Sequence, residues 1–210
     1  MKRIHLVFKY AGVAAIPAYV AFTILAHLHN PQINPIENWL SDYGSALVNP
    51  GGASFYNAGC VVAAVLLALF YIGMFRWYRR GKQARRFNIS YALAQAGGLA
   101  GSVFLILTAV FTLGTAPTLH STLSTANMIA MDCFISFTAT GFLMNPQIPI
   151  AIGVFGFAAS GFYVVTMNAF SDFYMSEWSF FLLFMVYMVL VTRQYDRLTT
   201  GAADQASSGI

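Results

Sequence analysis

All eleven Lys and Arg residues of this chain fall in three short segments: the first nine residues, positions 76 to 86 and positions 193 to 197. The stretches between them are apolar or nearly free of charge. Basic residues gathered beside long apolar runs mark the loops that a membrane protein keeps in the cytoplasm. With 58% hydrophobic residues, 9% charged and a mean hydropathy of +0.65, the chain has too little charge to cover a solvated surface. The net charge of +4 therefore faces lipid headgroups, not nucleic acid.

Six stretches approach the roughly 20 apolar residues that cross a bilayer core. They run from Tyr10 to Ala26, Phe55 to Phe75, Ile89 to Leu113, Ser121 to Leu143, Ile148 to Phe170 and Met175 to Thr192. An even number returns the chain to the side from which it starts, and Arg193 and Arg197 then share the cytoplasm with Lys2, Arg3 and Lys9. The expected fold is all-α: a polytopic bundle of six transmembrane helices with both termini inside and a short external interfacial helix. Residues 1–198 form its single domain, and the Ala-, Ser- and Gly-rich residues 199–210 read as a disordered cytoplasmic tail. The first span reads as a retained signal-anchor in the cytoplasmic membrane. Cys60 and Cys133 fall at different depths, which argues against a disulfide.

The loop from His27 to Ser54 is too long for a mere connector. Asn34 as N-cap, Pro35 at the first helical position and Glu37 at the third predict a helix that Gly44 stops. Ile36, Trp39, Leu40 and Tyr43 would share one face of it; Glu37, Asn38, Ser41 and Asp42 would share the other. Such a helix serves either as an aromatic anchor at the interface or as a cap on the bundle.

Asn38, Ser41 and Asp42 on that helix, Asn57 in the first turn of span two and His120 at the outer end of span four reach about the same depth. One carboxylate, amides, a hydroxyl and an imidazole at the mouth of a bundle either tie a loop down or bind a ligand. The predicted pocket lies between the loop helix and spans one, two and four. Further along span four come Asn127 and Asp132. An ionised carboxylate mid-span costs at least ~2.5 kcal/mol, so Asp132 is expected to face the interior, paired or protonated. Ser121, Thr125, Met128, Asp132 and Ser136 share one face of this span, with His120, Ser124 and Asn127 on the adjoining one. Gly97 with Gly101 and Gly156 with Ser160 give the small-xxx-small spacing of close helix packing.

The run Asn38-Trp39-Leu40-Ser41-Asp42-Tyr43-Gly44, followed by Phe55-Tyr56-Asn57 and later by His120, resembles the signature of a bacterial and archaeal family of six-helix membrane proteins of unknown function. That family is similar in turn to the DRAM and Sfk-like proteins. The resemblance implies the six-helix fold and, through the eukaryotic relatives, a link to lipid organisation and membrane trafficking. It also implies bonds from Ser41 or Asp42 to Asn57 or to the backbone that opens span two.

No phosphate-cradling, metalloprotease, nucleophile-elbow or haem-attachment motif is present, and no cofactor is implied. His27, His29 and His120, with Glu37, Asp42 and Asp172, raise a metal-dependent lipid hydrolase as the alternative activity, though two histidines two apart diverge on a helix. The expected partners are membrane lipid and, through the small-residue seams, a homo-oligomer or a larger membrane complex. The function expected first is binding or organising a lipid or small amphipathic ligand in an outward-facing pocket.

Overall fold

A computed structural model describes residues 2–79, 84–169 and 174–207 of the chain. Among these residues the regular structure is helical throughout: α1 Lys2–His29, α2 Ala53–Gly73, α3 Ala84–Val110, α4 Pro117–Leu143, α5 Ile150–Ala169 and α6 Met175–Ser207. All six are long and apolar enough to cross a membrane. α6 continues through Ser207, past Thr199 where the tail was expected to begin.

Each helix packs against its chain neighbours, and α6 returns to α1, so the six close into a ring. The charged ends agree with this closure. His5 and Lys9 on α1 meet the Asp196 carboxylate on α6 at 3.0 and 2.5 Å, which puts the two termini at the same end. At that end α2 tightens into the 3₁₀ turn Met74–Trp77. The last carbonyls of α2 have no partner within the helix, and neighbouring helices supply one: Gln95 donates to Tyr71 O at 2.8 Å and Tyr195 to Gly73 O at 3.0 Å.

The core is aromatic. Phe134 on α4 packs on Tyr71 of α2 and on Phe184 and Tyr187 of α6, while fully buried Trp77 sits against Tyr91 and Tyr195. The small-residue seams lie inside the bundle, not on its outer face. A methyl at Gly97 would stand 2.8 Å from the Ala130 carbonyl of α4, and one at Gly156 would meet Ala139 of α4 and Tyr187 of α6. Such contacts let helix backbones approach closely, the main source of association where no water is present to drive it. Cys60 and Cys133 are both free thiols.

The external loop differs from the continuous helix predicted over 35 to 43. Asn34 does cap a turn: its Oδ1 accepts from the backbone N–H groups of Ile36 and Glu37 at 3.0 and 3.2 Å. That turn ends at Trp39, whose backbone is extended (φ −68°, ψ 149°), and a separate 3₁₀ helix, Leu40–Gly44, follows. The break has a chemical cause. The Asp42 carboxylate takes the Trp39 N–H at 3.0 Å. The predicted apolar face divides accordingly: Leu40 and Tyr43 are buried, whereas Ile36 is 74% exposed.

Candidate functional site

The loop is fastened to the bundle end opposite the basic segments by a set of buried bonds. Asn49 donates to Ala26 O and Tyr43 O at 3.1 and 3.3 Å and accepts from Gly52 N at 3.1 Å, so one amide ties the end of α1 to the start of α2. The Tyr43 hydroxyl donates to Ile33 O, which leaves His27 Nδ1, 2.7 Å away, as the donor to its oxygen. Burial raises the Tyr43 phenol above its ordinary range. Trp178 on α6 donates its indole N–H to Asn38 O at 3.0 Å.

Glu177, in the first turn of α6, is 4% exposed and accepts the Ser41 backbone N–H at 3.3 Å. The first N–H groups of a 3₁₀ helix lack internal partners, and a carboxylate placed there satisfies them. Sequence reading missed this residue. The signal was present: among the six spans, only Asp132, Glu177 and Asp196 carry acid side chains. An ionisable group in such a place is a functional candidate.

His120 and Asn127 are buried beside Glu177, 6% and 2% exposed. His120 Nδ1 lies 3.1 Å from Thr108 O and 2.8 Å from Phe111 O. A carbonyl only accepts, so Nδ1 carries the hydrogen. The other ring nitrogen, Nε2, and the Asn127 Oδ1 are buried without a partner. Orphaned buried polar atoms are rare, and each calls for a reason.

These side chains line a cavity of about 20 Å³ together with Ser41, Asn57, Cys60 and Ser124. Ser41, His120, Ser124 and Glu177 also wall a cleft of about 290 Å³, where Trp39, Leu113, Met128 and Met167 contribute apolar surface. The site is thus built from the loop and from α2, α3, α4, α5 and α6. Span one, expected as a wall, instead lines a separate apolar groove with α6, through Tyr19, Val20 and Ile24.

The other expected site residues divide between this cluster and elsewhere. Asn57 donates to Gly44 O at 3.0 Å, so the loop closes onto span two through a backbone carbonyl and not through the Ser41 or Asp42 side chains as expected. Asp42 is half-buried within electrostatic reach of His120 and Glu177. Burial raises its carboxyl above the usual range, opposed by the Trp39 N–H and the Asn38 side chain. The Asn38 side chain accepts from Asn34 N at 3.2 Å. Asp132 lies apart: its Oδ2 accepts from Ser160 of α5 at 3.1 Å, and Ser160 in turn bonds Ser136 at 2.8 Å. It belongs to the α4–α5 seam.

The histidines weighed as metal ligands go to different places. His27 bonds Tyr43, His29 stacks on Phe55 with centroids 5.3 Å apart, and His120 holds backbone carbonyls. Asp172 lies outside the described residues. Among the described residues no three His, Cys, Asp or Glu side chains are placed to hold one metal ion.

No curated protein and no solved structure matches the chain. A family profile does, over residues 13–194, which takes in all or most of each of the six helices together with the external loop and its site. On that match, this six-helix membrane protein belongs to the family described as Protein of unknown function (DUF998).

Proposed function

We propose that the protein binds a lipid or small amphipathic ligand, without transforming it, in the outward-facing pocket under the external loop. The observation that carries this reading is the pair of unpartnered buried atoms, His120 Nε2 and Asn127 Oδ1, at a small cavity that shares Ser41, His120, Ser124 and Glu177 with a larger, partly apolar cleft. Ligand sites typically combine an apolar lining with a few convergent polar groups, and buried polar atoms left without a partner are costly. Ser41, Asn57 and Glu177 complete the polar end. Asn38 and Asp42 hold the loop over it, and Asp132 serves the α4–α5 seam behind it.

The basic termini support a reading in which the pocket faces the outer side of the cytoplasmic membrane, where lipid headgroups are the most abundant amphiphiles. The likeness to DRAM and Sfk-like proteins points to the same ligand class. The test is native mass spectrometry of the protein purified in mild detergent. One amphiphile should be retained per chain and lost in His120→Leu, whose fold is checked by its thermal midpoint; a wild-type protein that carries none and takes up none would sink the reading.

A further inference from the structure

The small cavity of the pocket collects acceptors and a carboxyl group, and its lining includes no Lys or Arg. Glu177 accepts the Ser41 backbone N–H at 3.3 Å, and the Leu40 backbone and the Ser41 side chain also bond its carboxyl. The Asn127 Oδ1 has no donor, and the His120 Nε2 has no partner, while Nδ1 of the same ring bonds the Thr108 and Phe111 carbonyls. Asp42 adds a second carboxylate within electrostatic reach. Every Lys and Arg lies in the first nine residues, at 76 to 86 or at 193 to 197, and among the described residues none lines the cavity or the cleft. A carboxyl as buried as Glu177 is either uncharged or matched by a cation, and no Lys or Arg is among the residues that line this site.

Building on the pocket reading above, we infer that the group seated against Glu177, His120 and Asn127 is a primary ammonium. It brings one positive charge and N–H donors for the three acceptors. Phosphate would bring further acceptors and negative charge to a site that already has both. A quaternary ammonium has the charge but no N–H, and its methyl groups exceed a cavity of about 20 Å³, room for one water-sized group. The rest of the ligand occupies the cleft of about 290 Å³ beside Trp39, Leu113 and Met128. Two sources offer this chemistry: the ethanolamine headgroup of an aminophospholipid, and a free amine from outside the cell.

The test is a native mass spectrometry titration of the purified protein with phosphatidylethanolamine, phosphatidylcholine and phosphatidylglycerol of matched acyl chains, and separately with ethanolamine. Phosphatidylethanolamine should bind about tenfold or more tightly than the other two lipids, the scale of hydrogen bonds to a charged group. Glu177→Gln, which keeps an acceptor for Ser41 N–H, should erase that preference. Displacement of bound lipid by ethanolamine, or binding of ethanolamine alone, identifies a free amine as the source; preference without displacement identifies the lipid. Equal binding of the three lipids, or a preference unchanged in Glu177→Gln, overturns the ammonium inference and leaves the pocket reading standing. Binding of none of the probes overturns both. Should Glu177→Gln not fold, the wild-type headgroup ranking and the loss of that ranking in His120→Gln decide the matter.

Discussion

Asn57 donates its side-chain amide to the carbonyl of Gly44 at 3.0 Å, and a Cβ added to Gly44 would collide with Asn57 Oδ1 and lie 3.0 Å from the Tyr56 ring. The loop and α2 are therefore in contact at a place that only a residue without a side chain allows. This relationship holds the 3₁₀ helix that carries Ser41 against α2.

Gly44→Ala should lower stability by about 1–3 kcal/mol through overpacking. Asn57→Ala should cost about 1 kcal/mol from the lost bond. Because the inserted methyl collides with the amide that Asn57→Ala removes, the two effects should fall short of additivity by about 1 kcal/mol in the double variant. Thermal midpoints of the four proteins in one detergent measure this; strict additivity would show that the two residues do not touch.

Asn49 offers a second test of how the loop is held. Its side chain makes three buried bonds that join the end of α1, Tyr43 and the start of α2. Asn49→Ala takes the side-chain donor from Ala26 O and Tyr43 O, while Gly52 N keeps the Asn49 backbone carbonyl at 3.1 Å, and should cost about 2–4 kcal/mol. Hydrogen exchange should then quicken across residues 30 to 52 while α3 and α4 stay protected; unchanged exchange in the loop would contradict the assignment.

The six spans were legible because charge is so unevenly distributed: a loop with Arg76, Arg79, Arg85 and Arg86 has no place in hydrocarbon, and no span carries a Lys or Arg except at its ends. The cap at Asn34 was legible for a local reason, a side chain within reach of its own neighbours. The break at Trp39 was not. It depends on Asp42 taking the Trp39 N–H and on Ser41 meeting Glu177, a partner 136 residues away. Within the site, Ser41, Asn57 and His120 could be gathered by depth, and Asn127 by the helix face it shares with His120. Glu177 escaped notice because an acid in the first turn of a helix ordinarily needs no further explanation, and its burial exists only once the loop has folded over it. Asp132 shares a helix with His120, but twelve residues of α4 carry it down to another seam.

Asp42 sets a pH dependence on the loop. Burial places its carboxyl above the ordinary value, so the folded state holds this proton more tightly than the unfolded chain does. Between the ordinary value and the raised one, the native state binds more protons, and stability falls as pH rises through that window. Below the ordinary value both states are protonated and the loss vanishes. Asp42→Asn keeps an acceptor for the Trp39 N–H and removes the titration. Its thermal midpoint should exceed that of the wild type by up to about 3 °C near neutral pH, with the advantage gone at the acid end. A variant less stable than the wild type at neutral pH would mean that the carboxylate is needed in its charged form.

Asp132 tests the seam between α4 and α5. Its Oδ2 accepts from Ser160, while its Oδ1 has no partner. Asp132→Asn retains an acceptor for the Ser160 hydroxyl and should leave the thermal midpoint close to that of the wild type. Asp132→Ala removes the acceptor and should cost about 1 kcal/mol, the scale of a hydrogen bond between helices within a membrane. In a double-mutant cycle with Ser160→Ala the two losses should overlap, since each removes the same bond. Lipid retention should be unchanged in Asp132→Asn, because Asp132 lines neither the cavity nor the cleft of the candidate site. A variant that keeps its stability but releases the bound amphiphile would place Asp132 in the ligand path and extend the pocket down α4 from Asn127.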